Sequence, residues 1–253
     1  MTLDSKILIM MSDNRGLSNT LNNSNYNSLT AAINYFYSKK MGYDFLYLRP
    51  GLNDEYPTNN CFSPKNELRH SSWSKLLTSI KIIDEYPQYD YVVYIDSDCI
   101  FYDNNLSILD YISKSNIVNG VGVMDSNIIF LNDKPWNSTL PCAGFYIYKN
   151  NIETKTIFQK WFETDDPKNN LTHNWEQNSL YLNLDNFIKK ISVIDDWMFR
   201  EYPSQFLRHI GSEFSNNRIP FFIQVIKKLD LENEYPNIIN HLSNEIIMYN
   251  TNK

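Results

Sequence analysis

The chain has 253 residues, a hydrophobic content of 42% with 15% aromatic residues, and a formal net charge of −6. This composition excludes a disordered chain and suffices for a sizeable core, while the acidic balance argues against nucleic acid or an anionic membrane as the main partner. The three cysteines, without a C-x-x-C pair, favour a reducing compartment and no zinc site.

The first part of the chain predicts a strand, a helix and a second strand. Residues 6–11 form an apolar strand that is too short for a signal sequence or a membrane span, so we expect a soluble, cytoplasmic protein without a transmembrane segment. Residues 26–40 carry apolar side chains at helical spacing, Gly42 is a suitable stop, and residues 44–48 form the second strand. The polar loop after the first strand lies where ligands gather in α/β sheets, so its residues are either nucleoside contacts or simple turn residues.

A second helix is predicted over residues 70–83, because Trp73 and the leucine and isoleucine residues after it form one apolar stripe. The helix ends near Tyr86, since Pro87 disfavours helical backbone at the residue before it. Lys75 lies roughly opposite the stripe. It is therefore either a solvated lysine or, from its place in the first turn, a contact to a phosphate.

Residues 89–102 combine a hydrophobic strand with two carboxylates. The β-branched and aromatic residues predict a strand buried on both faces, which runs without a turn signal into Asp96 and Asp98. In extended backbone these two side chains point the same way and Ser97 points the opposite way. Two close carboxylates raise each other's pKa unless a cation lies between them, and Mg²⁺ or Mn²⁺ with a nucleotide diphosphate fits this pattern. The alternative is a solvated turn after a strand.

The rest of the chain continues to alternate strands and helices. Helices are predicted over residues 105–113, 153–163, 173–182, 221–229 and 236–249, and strands over residues 117–124, 127–131, 142–148 and 191–194. This alternation predicts an α/β fold with a mostly parallel central sheet flanked by helices. Because no linker or internal repeat is visible, we expect a single domain over residues 1–253, with residues 216–253 as a C-terminal helical extension.

Several short pieces, in chain order, resemble one enzyme family. They are residues 7–15, residues 42–46, His70-x-x-Trp73-x-Lys75, Ile95-Asp96-Ser97-Asp98, Gly144-Phe145, Glu176-Gln177 and His209-Ile210-Gly211. The chain is similar to glycosyltransferases of the GT-A fold, a Rossmann-like nucleotide-diphospho-sugar transferase fold. It most closely resembles the galactosyl/mannosyl/xylosyltransferase family, which includes plant xyloglucan xylosyltransferases and fungal Golgi α-galactosyl- and α-mannosyltransferases.

The resemblance implies a metal-dependent retaining glycosyltransferase. Such an enzyme would move a hexose or pentose from a nucleotide sugar, a UDP-sugar rather than GDP-mannose, to a hydroxyl of a glycan or glycoprotein. The implied cofactor is Mn²⁺, with Mg²⁺ as the alternative. The implied metal ligands are Asp96, Asp98 and His209. The implied catalytic residues beside the donor sugar are Gln177 and Glu176. The implied nucleotide-sugar contacts are Met11, Ser12, Asp13, Arg15, Lys75, Asp96, Ser97, Gly144 and Gly211.

The sequence departs from the family pattern at two places. Cys142 stands where the family usually carries asparagine, before the acceptor strand, and this leaves the identity of the sugars open. The late lysine that follows the His-x-x-Gly turn in the family is missing from residues 212–215. Arg208 or Arg218 is the candidate that replaces it at the diphosphate.

Two other functions fit parts of the same pattern. A phosphatase of the haloacid-dehalogenase type also places Asp-x-Asp after a hydrophobic strand and uses a later acidic pair, for which Asp195-Asp196 is the candidate. It predicts a hydroxyl residue where this chain has Ile100. The second alternative is a catalytically inactive sugar-binding module of the same fold, and Cys142 keeps that possibility open.

Overall fold

The computed structural model describes residues 5–50, 60–133, 139–197, 206–211 and 215–249. Most of residues 212–215, where the family lysine is missing, lies outside these ranges. The prediction of a single domain concerns the whole chain and stays a prediction.

The strands of the described residues form one large sheet and two short pairs. The strands are β1 (Ile7–Ser12), β2 (Asp44–Pro50), β3 (Asn60–Phe62), β4 (Leu68–His70), β5 (Tyr91–Ile95), β6 (Cys99–Phe101), β7 (Ile117–Gly120), β8 (Ile128–Asn132), β9 (Pro141–Lys149), β10 (Ile191–Trp197), β11 (Leu207–His209) and β12 (Ile247–Tyr249). Eight of them form the sheet, in the order β12-β2-β1-β5-β9-β8-β10-β7. Its pairing is parallel from β12 to β5 and between β8 and β10, whereas β9 runs antiparallel to both of its neighbours.

Helices cover both faces of this sheet. They are α1 (Tyr26–Met41), α2 (Ser74–Glu85), α3 (Ile108–Lys114), α4 (Ile152–Phe162), α5 (Pro167–Leu171), α6 (Trp175–Leu182), α7 (Leu184–Phe187), α8 (Ser215–Lys228) and α9 (Tyr235–Asn244). The side chain of Asn25 caps the start of α1 by accepting a hydrogen bond from the Ser28 amide at 3.2 Å. Gly42 ends α1 in the left-handed region, with φ of 74°. The predicted α/β class with a central sheet between helices is confirmed.

The core has two layers because alternate residues of each strand face opposite sides of the sheet. In β1, Ile7, Ile9 and Met11 pack against α1, α8 and α9, whereas Leu8 and Met10 pack against α2 and α4. Strand β5 divides its side chains between the same two layers. The predicted burial of this strand on both faces is confirmed, and its fixed position sets where the following carboxylates lie.

The local structure departs from the sequence analysis at three places. Strand β5 ends at Ile95, and residues 96–98 form a turn closed by a 3.0 Å hydrogen bond from the Cys99 amide to the Asp96 carbonyl, so the extended backbone expected there is wrong. The helix predicted over residues 236–249 ends at Asn244, and Ile247–Tyr249 is an edge strand on β2. The β3-β4 hairpin and α5 were not predicted, since each is short and depends on contacts with distant elements.

Candidate functional site

The predicted site residues surround one cavity of about 660 Å³ at the carboxyl ends of β1 and β5. This is where ligands bind in α/β sheets. The predicted residues that line the cavity are Ser12, Asp13, Arg15, Lys75, Asp96, Ser97, Asp98, Gly144, Glu176, Gln177, His209 and Gly211. Met11 does not line it, because its side chain is fully buried in the core beneath β1.

The turn that carries the two carboxylates is held by backbone hydrogen bonds from distant segments. The Asp96 amide donates to the Gly144 carbonyl of β9 at 2.9 Å. The Ile210 amide, just after β11, donates to the Asp98 carbonyl at 3.0 Å. These bonds bring His209 back to a turn that precedes it by more than 100 residues in the sequence.

Asp96 lies in a closed network of charges. The ammonium group of Lys75 is 3.0 Å from Asp96 Oδ1 and 2.8 Å from Glu176 Oε1, and it donates to the Ala143 carbonyl at 3.2 Å. Tyr94 donates its hydroxyl proton to Asp96 at 2.6 Å. Burial raises the pKa of Asp96, and Asp98 and Glu176 add to this, although Lys75 opposes them. Lys75 is buried rather than solvated, because it compensates two carboxylates at once.

Asp98 has a different set of partners. His209 Nε2 is 3.3 Å from its Oδ1, and a terminal nitrogen of Arg218 is 3.4 Å from its Oδ2. Burial opposes ionisation of Asp98, but His209, then Arg218 and Lys75, outweigh it and lower the pKa of the carboxyl to about 2. Asp98 is therefore ionised at neutral pH.

Asp98, Cys99 and His209 form a possible metal-binding group, with ligand atoms that all lie within 4.8 Å of one another. Asp96 belongs to the described residues but is not a member of this group. Burial raises the pKa of the Cys99 thiol well above its usual value, and sulfur is a soft ligand that suits zinc or copper better than Mn²⁺ or Mg²⁺. A carboxylate with an imidazole suits Mn²⁺ or a similar cation, and the predicted ligands fit such an ion at Asp98 and His209.

The loop after β1 contributes Arg15, whose guanidinium group is held by hydrogen bonds to neighbouring side chains. Arg15 donates to both oxygens of Asp13, through Nε at 2.7 Å and through a terminal nitrogen, and also donates to the Ser97 hydroxyl at 3.1 Å. Its guanidinium carbon lies 4.1 Å from the centre of the Tyr26 ring. Ser97 thus faces the cavity beside the Asp96–Asp98 turn, and the β1 loop is tied to it.

The start of β9 forms the opposite wall. The amide of Ala143 donates to Gln177 Oε1 at 2.8 Å, which fixes the side chain of Gln177. A Cβ atom at Gly144 would lie 3.3 Å from Asp96 Oδ2, so the small residue lets the strand approach the carboxylate closely. Cys142 also lines the cavity and is buried. All three cysteines are free and buried.

An aromatic pair at the cavity was not predicted. The rings of His70 and Trp175 stack with centroids 3.8 Å apart and an interplanar angle of 3°. His173 packs its ring edge-on against Trp175 at 4.7 Å, and all three residues line the cavity. His70 and Trp175 each border a predicted motif, but their contact joins β4 to α6 and leaves no local signal in the sequence.

The structure separates the two candidate arginines. Arg218, on α8, lines the main cavity. Arg208 instead packs 4.5 Å from the centre of the Tyr102 ring, beside a second cavity of about 350 Å³.

The acidic pair of the phosphatase alternative, Asp195-Asp196, does not line the main cavity. The Asp195 amide donates to the Asn116 carbonyl at 2.7 Å, and Asp196 accepts from the Tyr111 hydroxyl at 2.5 Å.

Comparison with known proteins points to glycosyl transfer. Residues 3–154 match the model of the galactosyl transferase GMA12/MNN10 family. A search of the curated proteins finds no match. None of the helices in the described ranges is both long and apolar enough to cross a lipid bilayer.

Three solved structures share the fold at low sequence identity. A glycosyltransferase involved in glycosylation of the major capsid of PBCV-1 has 14% identity and a TM-score of 0.62, with 87% of this chain and 99% of that chain covered. The glycosyltransferase GlyE of Streptococcus pneumoniae has 12% identity and a TM-score of 0.55, with 94% and 63% covered. The bifunctional glycosyltransferase WbbM has 13% identity and a TM-score of 0.51, with 94% and 52% covered. The chain therefore spans less than two thirds of the length of GlyE and of WbbM.

Proposed function

The chain belongs to the galactosyl transferase GMA12/MNN10 family and is a glycosyltransferase of the GT-A fold, and from this premise we propose its reaction. It transfers a hexose or pentose from a nucleotide sugar, a UDP-sugar in preference to GDP-mannose, to a hydroxyl of a glycan or glycoprotein. The transfer depends on Mn²⁺, or Mg²⁺ in its place, and retains the configuration at the transferred carbon. The observation that carries this proposal is that one cavity is lined both by the Asp98–His209 pair and by Lys75, Glu176 and Gln177.

The residues at the cavity support separate places for diphosphate and sugar. Asp98 and His209 would hold the cation, with Asp96 beside them on the same turn. When bound, such an ion supplies Lewis-acid stabilisation of the charge that develops on the departing nucleoside diphosphate. Ser12, Asp13 and Arg15 lie at the end of β1, and with Ser97, which accepts a hydrogen bond from Arg15, they suit the nucleoside.

Glu176 and Gln177 suit the donor sugar. Glu176 Oε1 is paired with Lys75, whereas in the described structure its buried Oε2 has no hydrogen-bond partner. A sugar hydroxyl is a suitable donor to that oxygen, because an unsatisfied buried acceptor is costly. Gln177 is fixed by the Ala143 amide beside it. These two residues would orient the sugar so that its C1 faces the acceptor.

Retention is part of the proposal because the family resemblance implies it, and the state of the carboxylates bears on the route by which it would occur. Asp13 is paired with Arg15, Asp96 and Glu176 share Lys75, and Asp98 faces His209. A carboxylate engaged in this way is a weak nucleophile, which supports direct attack by the acceptor hydroxyl on the face from which the phosphate departs. The transition state would then resemble an oxocarbenium ion.

The aromatic pair of His70 and Trp175 supports a carbohydrate acceptor. Flat aromatic surfaces at a cavity give apolar contact area together with a polar edge, which suits a sugar ring. Replacement of Trp175 by alanine should raise the KM for alkyl glycoside acceptors more than the KM for the donor. Equal effects on both values would remove the acceptor from this part of the cavity.

A donor screen tests the proposal. The purified protein is given UDP- and GDP-sugars with Mn²⁺ and a set of alkyl glycosides, and release of nucleoside diphosphate is measured. We expect release with at least one UDP-sugar, dependent on the acceptor and lost on chelation of the metal. Binding of UDP or GDP without release would favour the inactive module, and hydrolysis of p-nitrophenyl phosphate instead would favour the phosphatase.

A further inference from the structure

Arg218 is a buried cation that the fold does not fully satisfy. The residue is 6% exposed and lines the main cavity from α8. Its Nε is buried and, within the described part of the chain, has no hydrogen-bond partner. A guanidinium group has five N–H donors, and leaving one of them buried and unpaired is costly. The fold therefore holds a donor at the cavity whose acceptor is not supplied by the described residues.

The contacts that Arg218 does make fix its position without using its charge fully. Its terminal nitrogen is 3.4 Å from Asp98 Oδ2, which is a long contact for an ion pair. Its guanidinium carbon lies 4.2 Å from the centre of the Tyr26 ring, which also packs against Arg15 at 4.1 Å. The ring of Tyr26 thus packs against both guanidinium groups at the same side of the cavity.

The other cations of the cavity are already committed. Arg15 makes a two-oxygen pair with Asp13, and Lys75 is divided between Asp96 and Glu176. Among the described residues, Arg218 is paired with the carboxylate of Asp98, which it shares with His209. If Asp98 serves a divalent cation, Arg218 is the guanidinium at the cavity left with positive charge to offer a second anion.

We propose that Arg218 binds the diphosphate of the nucleotide-sugar donor and stabilises its charge as the bond to the sugar breaks. This inference rests on the proposed function and identifies a residue that acts in it. A planar guanidinium whose Nε–H donor is unpartnered among the described residues suits phosphate oxygens, which favour arginine for paired hydrogen bonds. The position beside Asp98 brings that group to the place where the cation and the diphosphate meet.

Arg208 is the matched control. It is also an arginine packed on a tyrosine ring, Tyr102, and it neighbours His209 in the sequence, yet it lies beside the second cavity with Lys228. Arg208→Gln removes the same charge and the same kind of stacking contact. A general electrostatic effect on an anionic ligand would appear in both variants, whereas direct binding appears in one.

Binding is measured by titration calorimetry with UDP and with GDP in the presence of Mn²⁺, and the affinity for Mn²⁺ alone is measured by electron paramagnetic resonance. We expect Arg218→Gln to weaken binding of the nucleoside diphosphate about 10- to 100-fold, since a charge-assisted hydrogen bond is lost. Affinity for Mn²⁺ alone should be unchanged or higher, because a competing positive charge leaves Asp98. Arg218→Lys, which keeps the charge but not the fork, should fall between the two, and Arg208→Gln should match the wild type.

Three outcomes would overturn this assignment. Unchanged affinity for the nucleoside diphosphate in Arg218→Gln removes Arg218 from the diphosphate. An equal loss of Mn²⁺ and nucleotide affinity means that Arg218 only maintains the site, and Arg218→Lys repeats this test if the glutamine variant does not fold. Wild-type protein that binds Mn²⁺ but neither UDP nor GDP refutes the proposed function itself, which distinguishes the two failures.

Discussion

The two carboxylates in the turn at residues 96–98 have different binding partners. Asp96 is paired with Lys75, which also binds Glu176, and it accepts a hydrogen bond from Tyr94, while burial and the nearby Glu176 raise its pKa. Asp98, two residues later, faces an imidazole and a guanidinium at 3.3 and 3.4 Å, contacts long enough to be replaced by a ligand. The comparison shows that an Asp-x-Asp pair need not act as two equal ligands. We infer that Asp96 chiefly organises the sugar side of the cavity, while Asp98 presents the site to a cation.

Replacement of Asp98 should have the largest effect on activity. Asp98→Asn removes the ionised ligand, so we expect Mn²⁺ binding to be lost and turnover to fall about a thousandfold, as metal stabilisation of a leaving group is worth several kcal/mol. Asp96→Asn should weaken Mn²⁺ binding less and also lower the melting temperature less, because the fold raises the pKa of Asp96 and lowers that of Asp98. Calorimetry and a turnover assay on both variants measure the difference. Equal loss of metal binding in the two variants would show that the carboxylates act as equal ligands.

Removal of Lys75 should have the largest effect on stability. Lys75→Met leaves Asp96 and Glu176 without their shared cation, and breaking a buried ion pair from one side costs about 3–5 kcal/mol. Lys81→Met, on the same helix, removes a lysine paired with the half-exposed Glu85 and should cost about 0.5 kcal/mol or less. Urea unfolding of the two variants gives the comparison. A similar small cost for both would mean that the Lys75 network is not what balances Asp96.

A smaller effect is expected from the close approach of β9 to Asp96. Gly144→Ala places a methyl group 3.3 Å from Asp96 Oδ2, which should displace the carboxylate and cost about 1 kcal/mol in stability, with a larger proportional loss in turnover. Gly16→Ala adds the same methyl group where nothing lies within 4 Å and serves as control. If Gly144→Ala matches Gly16→Ala in both unfolding and turnover, the tight packing against Asp96 has no role.

The smallest effect is expected at Cys99, which neighbours Asp98. Its thiol is buried and sulfur is a soft ligand, so it should not contribute to the binding of a hard cation. Cys99→Ala should change the Mn²⁺ affinity by no more than about twofold and cost about 1 kcal/mol of stability through the lost packing. A large drop in affinity would place the sulfur among the ligands and revise the proposed metal.

Local features of the fold could be predicted from the sequence, whereas long-range pairing could not. The left-handed stop at Gly42 and the end of α2 before Pro87 follow from backbone sterics that act within a few residues. Strand β12 continues the apolar spacing of α9, and only its pairing with β2 makes it a strand.

The location of the site could likewise be predicted, whereas several of its contacts could not. Motif residues lie around one cavity because the carboxyl ends of neighbouring strands meet there. The partner of Lys75 on α6 lies about 100 residues away in the sequence, so the sequence leaves Lys75 as either a solvated lysine or a phosphate contact and does not predict its burial against Glu176. Two other features depend on tertiary contacts that no local pattern predicts. They are the Nε of Arg218, which has no hydrogen-bond partner among the described residues, and the stacking of His70 on Trp175.

The central claim is that Asp98 and His209 present the cavity to a cation that accompanies a nucleoside diphosphate. Anomalous diffraction from crystals grown with Mn²⁺ and UDP or GDP tests it most directly. We expect an anomalous peak in direct contact with the Asp98 carboxylate and His209 Nε2, with the diphosphate adjoining it. A bound nucleotide with no peak at these two residues, or a peak at a different place in the molecule, would contradict the account.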